Sequence, residues 1–190
     1  LYKYGDMISF NYKKDKPQVI LKKQSNQVIQ LPKTNIFNEL ISLLELAKLR
    51  TYQDYCVYGY NCNNRKNFPK YHGEVFGYIT QRKTGKYCLS ANSISQPILY
   101  NELVRLGKLI CPFDFKTIQL NKNLVCPPHT DSNNVGYSML VSIGDYGGGE
   151  IVIDNIKYNA YCNPIVFNGS VLEHYNNPIS SGIKYSLVYF

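Results

Sequence analysis

The sequence predicts a mainly β protein of the α+β class, and two features of its 190 residues carry that prediction. From about residue 115 onward, roughly eight short apolar segments are separated by turn residues, a spacing typical of a β-sandwich or barrel. Two segments in the N-terminal half instead have the apolar periodicity of helices. Because no linker or internal repeat divides the chain, we expect one domain that is large enough to bury its own core.

The N-terminal third is expected to contain short strands and one amphipathic helix. The strands are predicted at 7–12, 19–21 and 28–31, and the helix at 36–50, with an apolar stripe along one side. Thr34 or Asn35 can cap this helix, and Glu39 stands where its carboxylate could return the capping contact. We expect the helix to pack against a sheet.

The rest of the chain is expected to begin with one strand and one helix and then to form strands and turns. A strand is predicted at 75–79, and a helix at 97–106 with Ser95 as its cap and Gly107 as its stop. Further strands are predicted at 116–120, 138–143, 150–153, 157–160, 165–167, 171–174 and 183–190. Asn168-Gly169 is a strong turn signal, so His174 is expected on the segment that returns from it.

Positive charge is concentrated in the first half of the chain. The net charge is +8, and residues 1–90 carry 15 Lys and Arg against 6 Asp and Glu, whereas residues 91–190 carry 6 against 7. Such asymmetry suits nucleic acid as a partner, although a solvated lysine-rich surface is an equal explanation. The tyrosine-rich residues 52–71, which include Arg65, Lys66 and Lys70, can stack bases or anchor a loop. Arg82, in a basic turn, is a candidate substrate contact.

The six cysteines do not form a recognisable disulfide or zinc pattern. No C-x-x-C pair and no zinc-finger spacing occurs, so we expect reduced thiols, with Cys56, Cys62 and His72 as an alternative second metal site. No signal-peptide pattern opens the chain, and no apolar run approaches about 18 residues. We therefore expect an intracellular protein, nuclear or cytoplasmic, without a membrane segment. The oligomeric state is left open.

His129, Asp131 and His174 have the pattern of a metal site. A His and a carboxylate two residues apart lie on the same face of a strand, because strand side chains repeat every second residue. A second His from another strand completes the 2-His-1-carboxylate facial triad, which suits Fe(II) and leaves positions open for a co-substrate and dioxygen. The alternative for Asp131 is a structural role as a turn cap.

The last predicted strand contains a lysine that could bind the co-substrate of that metal. Period-two alternation puts Lys184 and Ser186 on one face, opposite the apolar side chains of the same strand. A lysine in the middle of an apolar strand costs free energy unless it is paired, so we expect it to bind the distal carboxylate of a co-substrate such as 2-oxoglutarate. Gln119 and Asn121 share a face on the strand before the metal motif and could also contact co-substrate or substrate.

These motifs together resemble the 2-oxoglutarate/Fe(II)-dependent dioxygenase superfamily over about residues 113–190. The matching runs are His129-Thr130-Asp131, Gly144-Asp145-Tyr146-Gly147-Gly148-Gly149-Glu150, Phe167-Asn168-Gly169-Ser170 leading to His174, and Gly182-Ile183-Lys184-Tyr185-Ser186-Leu187-Val188. The resemblance implies a double-stranded β-helix (jelly-roll) core with the N-terminal helices packed on its sheet. It further implies a catalytic core at about 113–190, a supporting part at about 1–112, and Fe(II), 2-oxoglutarate and dioxygen as the reaction partners.

Within the superfamily, the run from Asp131 to Ser138 and the glycine-rich stretch most resemble the TET/JBP-like branch. That branch oxidises the methyl group of 5-methylcytosine or thymine in nucleic acid, and Asn133 and Asn134 would then be candidate substrate contacts. Lys184 departs from the branch, which usually has Arg there, and is typical of prolyl hydroxylase-like members. Hydroxylation of a protein side chain is therefore the rival activity. A non-catalytic jelly-roll binding module and a zinc-dependent cupin-like enzyme are the alternatives of other kinds.

Overall fold

The computed structural model describes residues 26–50, 72–81, 84–131, 134 and 136–190. The predicted strands at 7–12 and 19–21, the tyrosine-rich residues 52–71, Arg82 and Asn133 lie outside these residues. The helices are a 3-10 helix (Ile36–Leu40), α1 (Ile41–Leu46), α2 (Ala91–Ser95) and α3 (Pro97–Ile110). The strands are β1 (Ile29–Gln30), β2 (His72–Thr80), β3 (Tyr87–Leu89), β4 (Thr117–Lys122), β5 (Ser138–Ile143), β6 (Tyr146–Gly148), β7 (Ile151–Ile153), β8 (Ile156–Tyr158), β9 (Ile165–Phe167), β10 (His174–Asn176), β11 (Ile179–Gly182) and β12 (Tyr185–Tyr189).

Three antiparallel sheets make up the β structure. The largest has seven strands in the order β1-β9-β5-β12-β4-β2-β3, and the smaller ones have the orders β10-β7-β8 and β11-β6. Most neighbours in these sheets are distant in sequence, as β12 shows by lying between β4 and β5. Such crossed connections are those of a jelly roll.

The seven-stranded sheet separates two hydrophobic cores. Its outer face packs against the helices, and there Tyr189 of β12 donates a hydrogen bond of 3.1 Å to the Leu103 carbonyl of α3. Its inner face packs against the three-stranded sheet, where Leu140 and Phe167 share a cluster with Ile153 of β7. This confirms the mainly β prediction with N-terminal helices on the sheet. No described helix is both long and apolar enough to cross a membrane.

The first predicted helix is shorter than its apolar stripe suggested. It begins as the 3-10 helix, continues as α1 and ends at Leu46, because Ala47 takes an extended conformation. The next residue is then held from outside the helix, since the Lys48 amide donates to the Gln96 side chain at 2.9 Å. Of the two predicted caps, Thr34 accepts a hydrogen bond of 3.3 Å from the Ile36 amide, whereas Asn35 makes no side-chain capping bond. The capping prediction for Glu39 is wrong, because its carboxylate pairs with Arg105 instead.

The second predicted helix is longer than expected, since α3 continues through Gly107 to Ile110. Gly107 has a packing role there: a Cβ at this position would lie 2.3 Å from Tyr189 Cε1 and 2.7 Å from Phe115 Cζ. The capping prediction for Ser95 is also wrong. Ser95 ends the short helix α2, while Gln96 is the N-cap residue of α3 and makes no side-chain capping bond.

In the C-terminal half, the predicted strands at 138–143 and 165–167 are found with the same bounds. The glycine-rich stretch between these two strands contains strand β6, which pairs with β11. One expectation needs correction. His174 begins a strand instead of ending one, because the Val171 and Leu172 amides both bond back to the Asn168 carbonyl and extend the turn.

Candidate metal centre

Backbone hydrogen bonds bring His129, Asp131 and His174 together. His129 and His174 form an isolated antiparallel bridge, in which each amide donates to the other residue's carbonyl, at 3.1 and 2.9 Å. The Asp131 amide donates to the Gly169 carbonyl at 2.8 Å, which fixes the carboxylate beside the turn that precedes His174. The three side chains therefore converge from two chain segments that are separated by more than 40 residues of sequence.

We call these three side chains the triad. Asp131 Oδ1 lies 3.5 Å from His129 Nε2, and Asp131 Oδ2 lies 3.6 Å from His174 Nε2. One ligand atom from each residue falls within 4.8 Å of the other two, so the group could hold one metal ion. His129 and Asp131 keep 36% of their side-chain surface exposed, whereas His174 keeps 9%. The triad thus opens to solvent on one side only.

The two imidazoles are oriented so that their Nε2 atoms face Asp131. His129 Nδ1 lies 2.8 Å from the Pro127 carbonyl, and His174 Nδ1 lies 3.0 Å from the Leu172 carbonyl. A carbonyl only accepts, so each Nδ1 must carry the proton and each neutral ring keeps its lone pair on Nε2. Carbonyl partners of this kind fix the tautomer of metal-binding histidines.

The surroundings shift the two histidines in opposite directions. A hydrogen bond to Asp131, reinforced by the Cys126 thiol, raises the pKa of His129 to about 10. Burial is the main reason why the pKa of His174 is lowered below its usual value. A metal ion must displace the proton that His129 Nε2 shares with Asp131. His174 is already neutral and has no proton on Nε2 to displace.

Gly169 gives Asp131 the space it occupies. A Cβ on Gly169 would lie 2.7 Å from Asp131 Oδ2 and 3.4 Å from His174 Cε1. Phe167 packs edge-on against the His174 ring, with 5.0 Å between centroids. The sequence marked Gly169 only as a turn residue, and its closeness to the triad is visible only in the folded chain.

Lys184 is buried on the inner face, with 2% of its surface exposed. Its ammonium donates a hydrogen bond to the Gly149 carbonyl and lies 5.6 Å above the Tyr146 ring. Burial lowers the pKa of Lys184 to about 8. Within the described part of the chain no carboxylate forms an ion pair with this ammonium, although buried charges in proteins are generally paired.

The register of β12 places polar side chains beside Lys184. Ser186 lies opposite Asn121 of β4 on one side and opposite Ser142 of β5 on the other. Gln119 Nε2 donates a hydrogen bond of 2.8 Å to Asn121 Oδ1, so these two predicted residues bind each other. The predicted separation of Lys184 and Ser186 from the outward-facing Tyr185 and Leu187 is found in the structure.

Of the three candidate substrate residues, only Asn134 belongs to the described residues. Asn134 is close to the triad, but its amide donates to the Asp131 carbonyl at 2.9 Å and its side chain donates to Ser138 Oγ at 3.0 Å. These bonds give Asn134 a structural role. Of the alternative second metal site, only His72 belongs to the described residues, and its Nδ1 lies 3.4 Å from the Leu49 carbonyl.

Comparisons with known proteins place the fold. No family model and no curated protein matches the chain. Among solved structures, NgTET1 in complex with 5mC DNA has a TM-score of 0.56 at 17% identity, covering 86% of this chain and 71% of that one. An oxidoreductase of the 2OG-Fe(II) oxygenase family from Burkholderia pseudomallei has a TM-score of 0.52 at 16% identity, covering 86% and 82%. OsALKBH1 has a TM-score of 0.53 at 10% identity, covering 89% and 98%. These matches confirm the predicted jelly-roll fold.

Proposed function

We propose that this chain, which has the fold of the 2OG-Fe(II) oxygenases, is an Fe(II)- and 2-oxoglutarate-dependent oxygenase that hydroxylates a C–H bond. The observation that carries the proposal is the pairing of two features in one jelly roll. The triad offers two imidazole nitrogens and one carboxylate within 4.8 Å of one another, and Lys184 is a buried cation without a carboxylate partner among the described residues.

The triad fits Fe(II) by its donor set. Two nitrogens and one oxygen on one side of the ion are the facial arrangement of non-haem iron oxygenases, and they leave the other positions open. In their neutral forms His129 and His174 present Nε2 lone pairs to the metal, while the Pro127 and Leu172 carbonyls hold the rings in place. When bound, Fe(II) with 2-oxoglutarate and dioxygen supplies the oxidising power for C–H hydroxylation and yields succinate and carbon dioxide.

Lys184 and Ser186 fit the distal carboxylate of 2-oxoglutarate. A bound carboxylate would neutralise the buried ammonium and would accept from the Ser186 hydroxyl on the same face. Lys184 bonds to Gly149, which lies four residues along the chain from Ile153, the residue that pairs with His174. The cation therefore sits away from the triad, as required if one molecule binds the metal with its keto-acid end and Lys184 with its other end.

For the substrate, we propose a methylated pyrimidine, 5-methylcytosine or thymine, in nucleic acid. Support comes from the complex of NgTET1 with 5mC DNA and from the basic N-terminal half of the chain. Further support comes from exposed aromatics. Tyr78 and Tyr87 are 45% and 53% exposed and stack on each other, with 5.3 Å between centroids and 18° between rings. Such exposed rings are suited to stacking against bases.

We call Tyr78, Tyr87, Lys108 and Lys116 the aromatic–basic surface. Lys116 Nζ lies 5.6 Å above the Tyr87 ring, and both lysines, with Tyr78, line a cavity of about 210 Å³ between α3 and the sheet. Strand register puts this surface at the same end of the seven-stranded sheet as the triad, on the outer face. A nucleic-acid strand whose target base lies at the triad would have to pass over this end of the sheet to reach the aromatic–basic surface.

Hydroxylation of a protein side chain is the second candidate, and Lys184 favours it. Lysine supplies a point charge, whereas the arginine usual in the TET/JBP-like branch supplies a bidentate fork. The choice between these residues does not alter the need for an anion at that position. The presence of lysine at this position weakens only the argument for a nucleic-acid substrate.

The two substrates can be separated by one assay. The purified chain with Fe(II), 2-oxoglutarate and oxygen would be incubated with oligonucleotides that carry 5-methylcytosine or thymine, with unmethylated controls, and with proline-containing peptides. We expect succinate to rise with the methylated oligonucleotide and mass spectrometry to find one added oxygen on its base. Asp131→Ala is the control that should abolish both signals. Hydroxylation of peptide alone would overturn the nucleic-acid proposal, and no succinate with any substrate would overturn the oxygenase itself.

A further inference from the structure

Ser142 has a buried hydroxyl that the fold leaves unused. The residue is 0% exposed, and its Oγ has no hydrogen-bond partner in the part of the chain that the structure describes. Its backbone is satisfied, since its amide donates to the Ala160 carbonyl and its carbonyl accepts from the Cys162 amide. Buried hydroxyls are normally paired, so an unpaired one beside a candidate binding site points to a missing partner.

The strand register places this hydroxyl next to the proposed co-substrate pocket. Ser142 of β5 lies directly opposite Ser186 of β12, and directly opposite residues on one face of an antiparallel pair are close neighbours. Ser142 also shares the inner face with Leu140, which lies two residues earlier on the same strand and belongs to the inner core. The Ser142 side chain therefore points toward the side on which Lys184 is buried.

Tyr146 completes the surroundings of Ser142. Its ring lies under the Lys184 ammonium, at 5.6 Å from Nζ to the centroid, and its hydroxyl interacts with Ser142 without reaching hydrogen-bond geometry. Burial raises the pKa of Tyr146 to about 12, so this hydroxyl remains protonated at neutral pH. The pocket thus contains one ammonium and neutral hydroxyl groups. The Glu150 carboxylate acts on the ammonium electrostatically, but no described carboxylate forms an ion pair with it.

We propose that the Ser142 hydroxyl is a further donor to the distal carboxylate of 2-oxoglutarate, beside Lys184 and Ser186. The inference rests on the proposed function, and it assigns a role to a residue that the sequence motifs do not mark. A carboxylate has about four lone-pair sites, so it can accept from an ammonium and two hydroxyls at once. Binding would satisfy the orphaned hydroxyl and the buried charge in a single step.

The test is Ser142→Ala, with Ser93→Ala as the matched control. Ser93 is also a buried serine, but its hydroxyl already accepts from the Gly77 amide at 2.7 Å, and it lies on α2. Calorimetric titration of the Mn(II)-loaded protein with 2-oxoglutarate would give the affinity, and urea unfolding of the metal-free protein would give the stability. A second titration would use 2-oxobutanoate, a keto acid that lacks the distal carboxylate.

We expect Ser142→Ala to weaken 2-oxoglutarate binding by about 10- to 100-fold, the effect of losing a hydrogen bond to a charged group. Its affinity for 2-oxobutanoate and its stability without ligand should not fall, because the hydroxyl has no partner in the empty protein. Ser93→Ala should lower the stability and leave both affinities unchanged. In turnover, Ser142→Ala should raise KM for 2-oxoglutarate more than it lowers kcat.

Three results would count against the inference. An unchanged affinity for 2-oxoglutarate would refute it, and so would an equal loss of affinity for both keto acids. A marked loss of stability without ligand would show that Ser142 has a structural partner, which would also refute it. These outcomes are distinguishable from failure of the proposed function, because in that case the wild-type protein would not bind 2-oxoglutarate at all.

Discussion

Replacing Gly169 by alanine tests whether the triad depends on the close approach of the 167–174 turn. The backbone of Gly169 is not left-handed, so alanine can adopt its conformation, and the perturbation is confined to one methyl group. That methyl would lie 2.7 Å from Asp131 Oδ2 and 3.4 Å from His174 Cε1. A metal ligand must therefore move while the rest of the fold need not.

The size of the effect follows from these distances. Relief of the 2.7 Å contact requires a shift of about 0.5 to 1 Å, because non-bonded heavy atoms are optimally about 3.5 Å apart. Changes in the groups that orient metal ligands typically cost about 10- to 100-fold in metal affinity. We therefore expect Gly169→Ala to weaken Fe(II) or Mn(II) binding by about 1.4 to 2.7 kcal/mol. The free energy of unfolding without metal should change by less than about 1 kcal/mol.

Metal titration under anaerobic conditions, followed by calorimetry, measures the affinity, and urea unfolding measures the stability. Gly147→Ala is the control, because its methyl would approach only the Ser180 and Ser181 hydroxyls, at 2.9 and 2.8 Å. That variant should keep the wild-type metal affinity. Unchanged metal affinity in Gly169→Ala would refute the idea that the turn shapes the site. A loss of stability as large as the loss of binding would also refute it.

Three further predictions concern stability and binding. Lys184→Met should abolish 2-oxoglutarate binding. It should also stabilise the ligand-free protein in urea at pH 7 by about 3 kcal/mol, because burial of the charged ammonium is unfavourable and lowers the folded-state pKa of Lys184 from 10.5 to about 8. That advantage should shrink as pH rises from 8 to 10.5, because there the unfolded wild type binds more protons than the folded one; an advantage that stays constant with pH would contradict this. Tyr78→Ala and Tyr87→Ala should each weaken single-stranded oligonucleotide binding in fluorescence anisotropy by about 10-fold, while metal affinity stays unchanged; equal binding by all variants would remove the aromatic–basic surface from the proposal. Arg50→Ala should lower the urea midpoint by the equivalent of about 2 to 3 kcal/mol, because it removes the cation paired with fully buried Glu74 at 2.5 Å; a neutral effect would show that this pair does not stabilise the fold.

The parts of the site that follow local rules could be predicted from the sequence. His129 and Asp131 share one side of the chain because of the two-residue repeat, and the same repeat separates Lys184 from the apolar side of β12. The strands at 138–143 and 165–167 are apolar runs bounded by turn residues, and both are found as predicted. Each of these inferences needs only neighbours within a few positions.

Where the predicted helix ends were wrong, a contact with a residue distant in sequence determined the observed end. The first helix ends at Leu46 although its apolar stripe continues, because the backbone of Lys48 bonds to the side chain of Gln96, 48 positions later. Helix α3 continues through Gly107, since the absent side chain admits Tyr189 from the last strand. Local propensity is worth only about 1 kcal/mol per residue, so tertiary packing overrides it.

The sequence by itself determined which residue types are available: two histidines and a carboxylate with metal-site spacing, and a lysine on the inner side of the final strand. Only the tertiary structure decided that the His129–His174 bridge closes the triad, that Gly169 leaves room for Asp131, and that Ser142 lies opposite Ser186 with its hydroxyl unpaired. The physical reason is register. Pairing between strands far apart in sequence sets which side chains meet, and a shift of one residue would turn each of them to the other face.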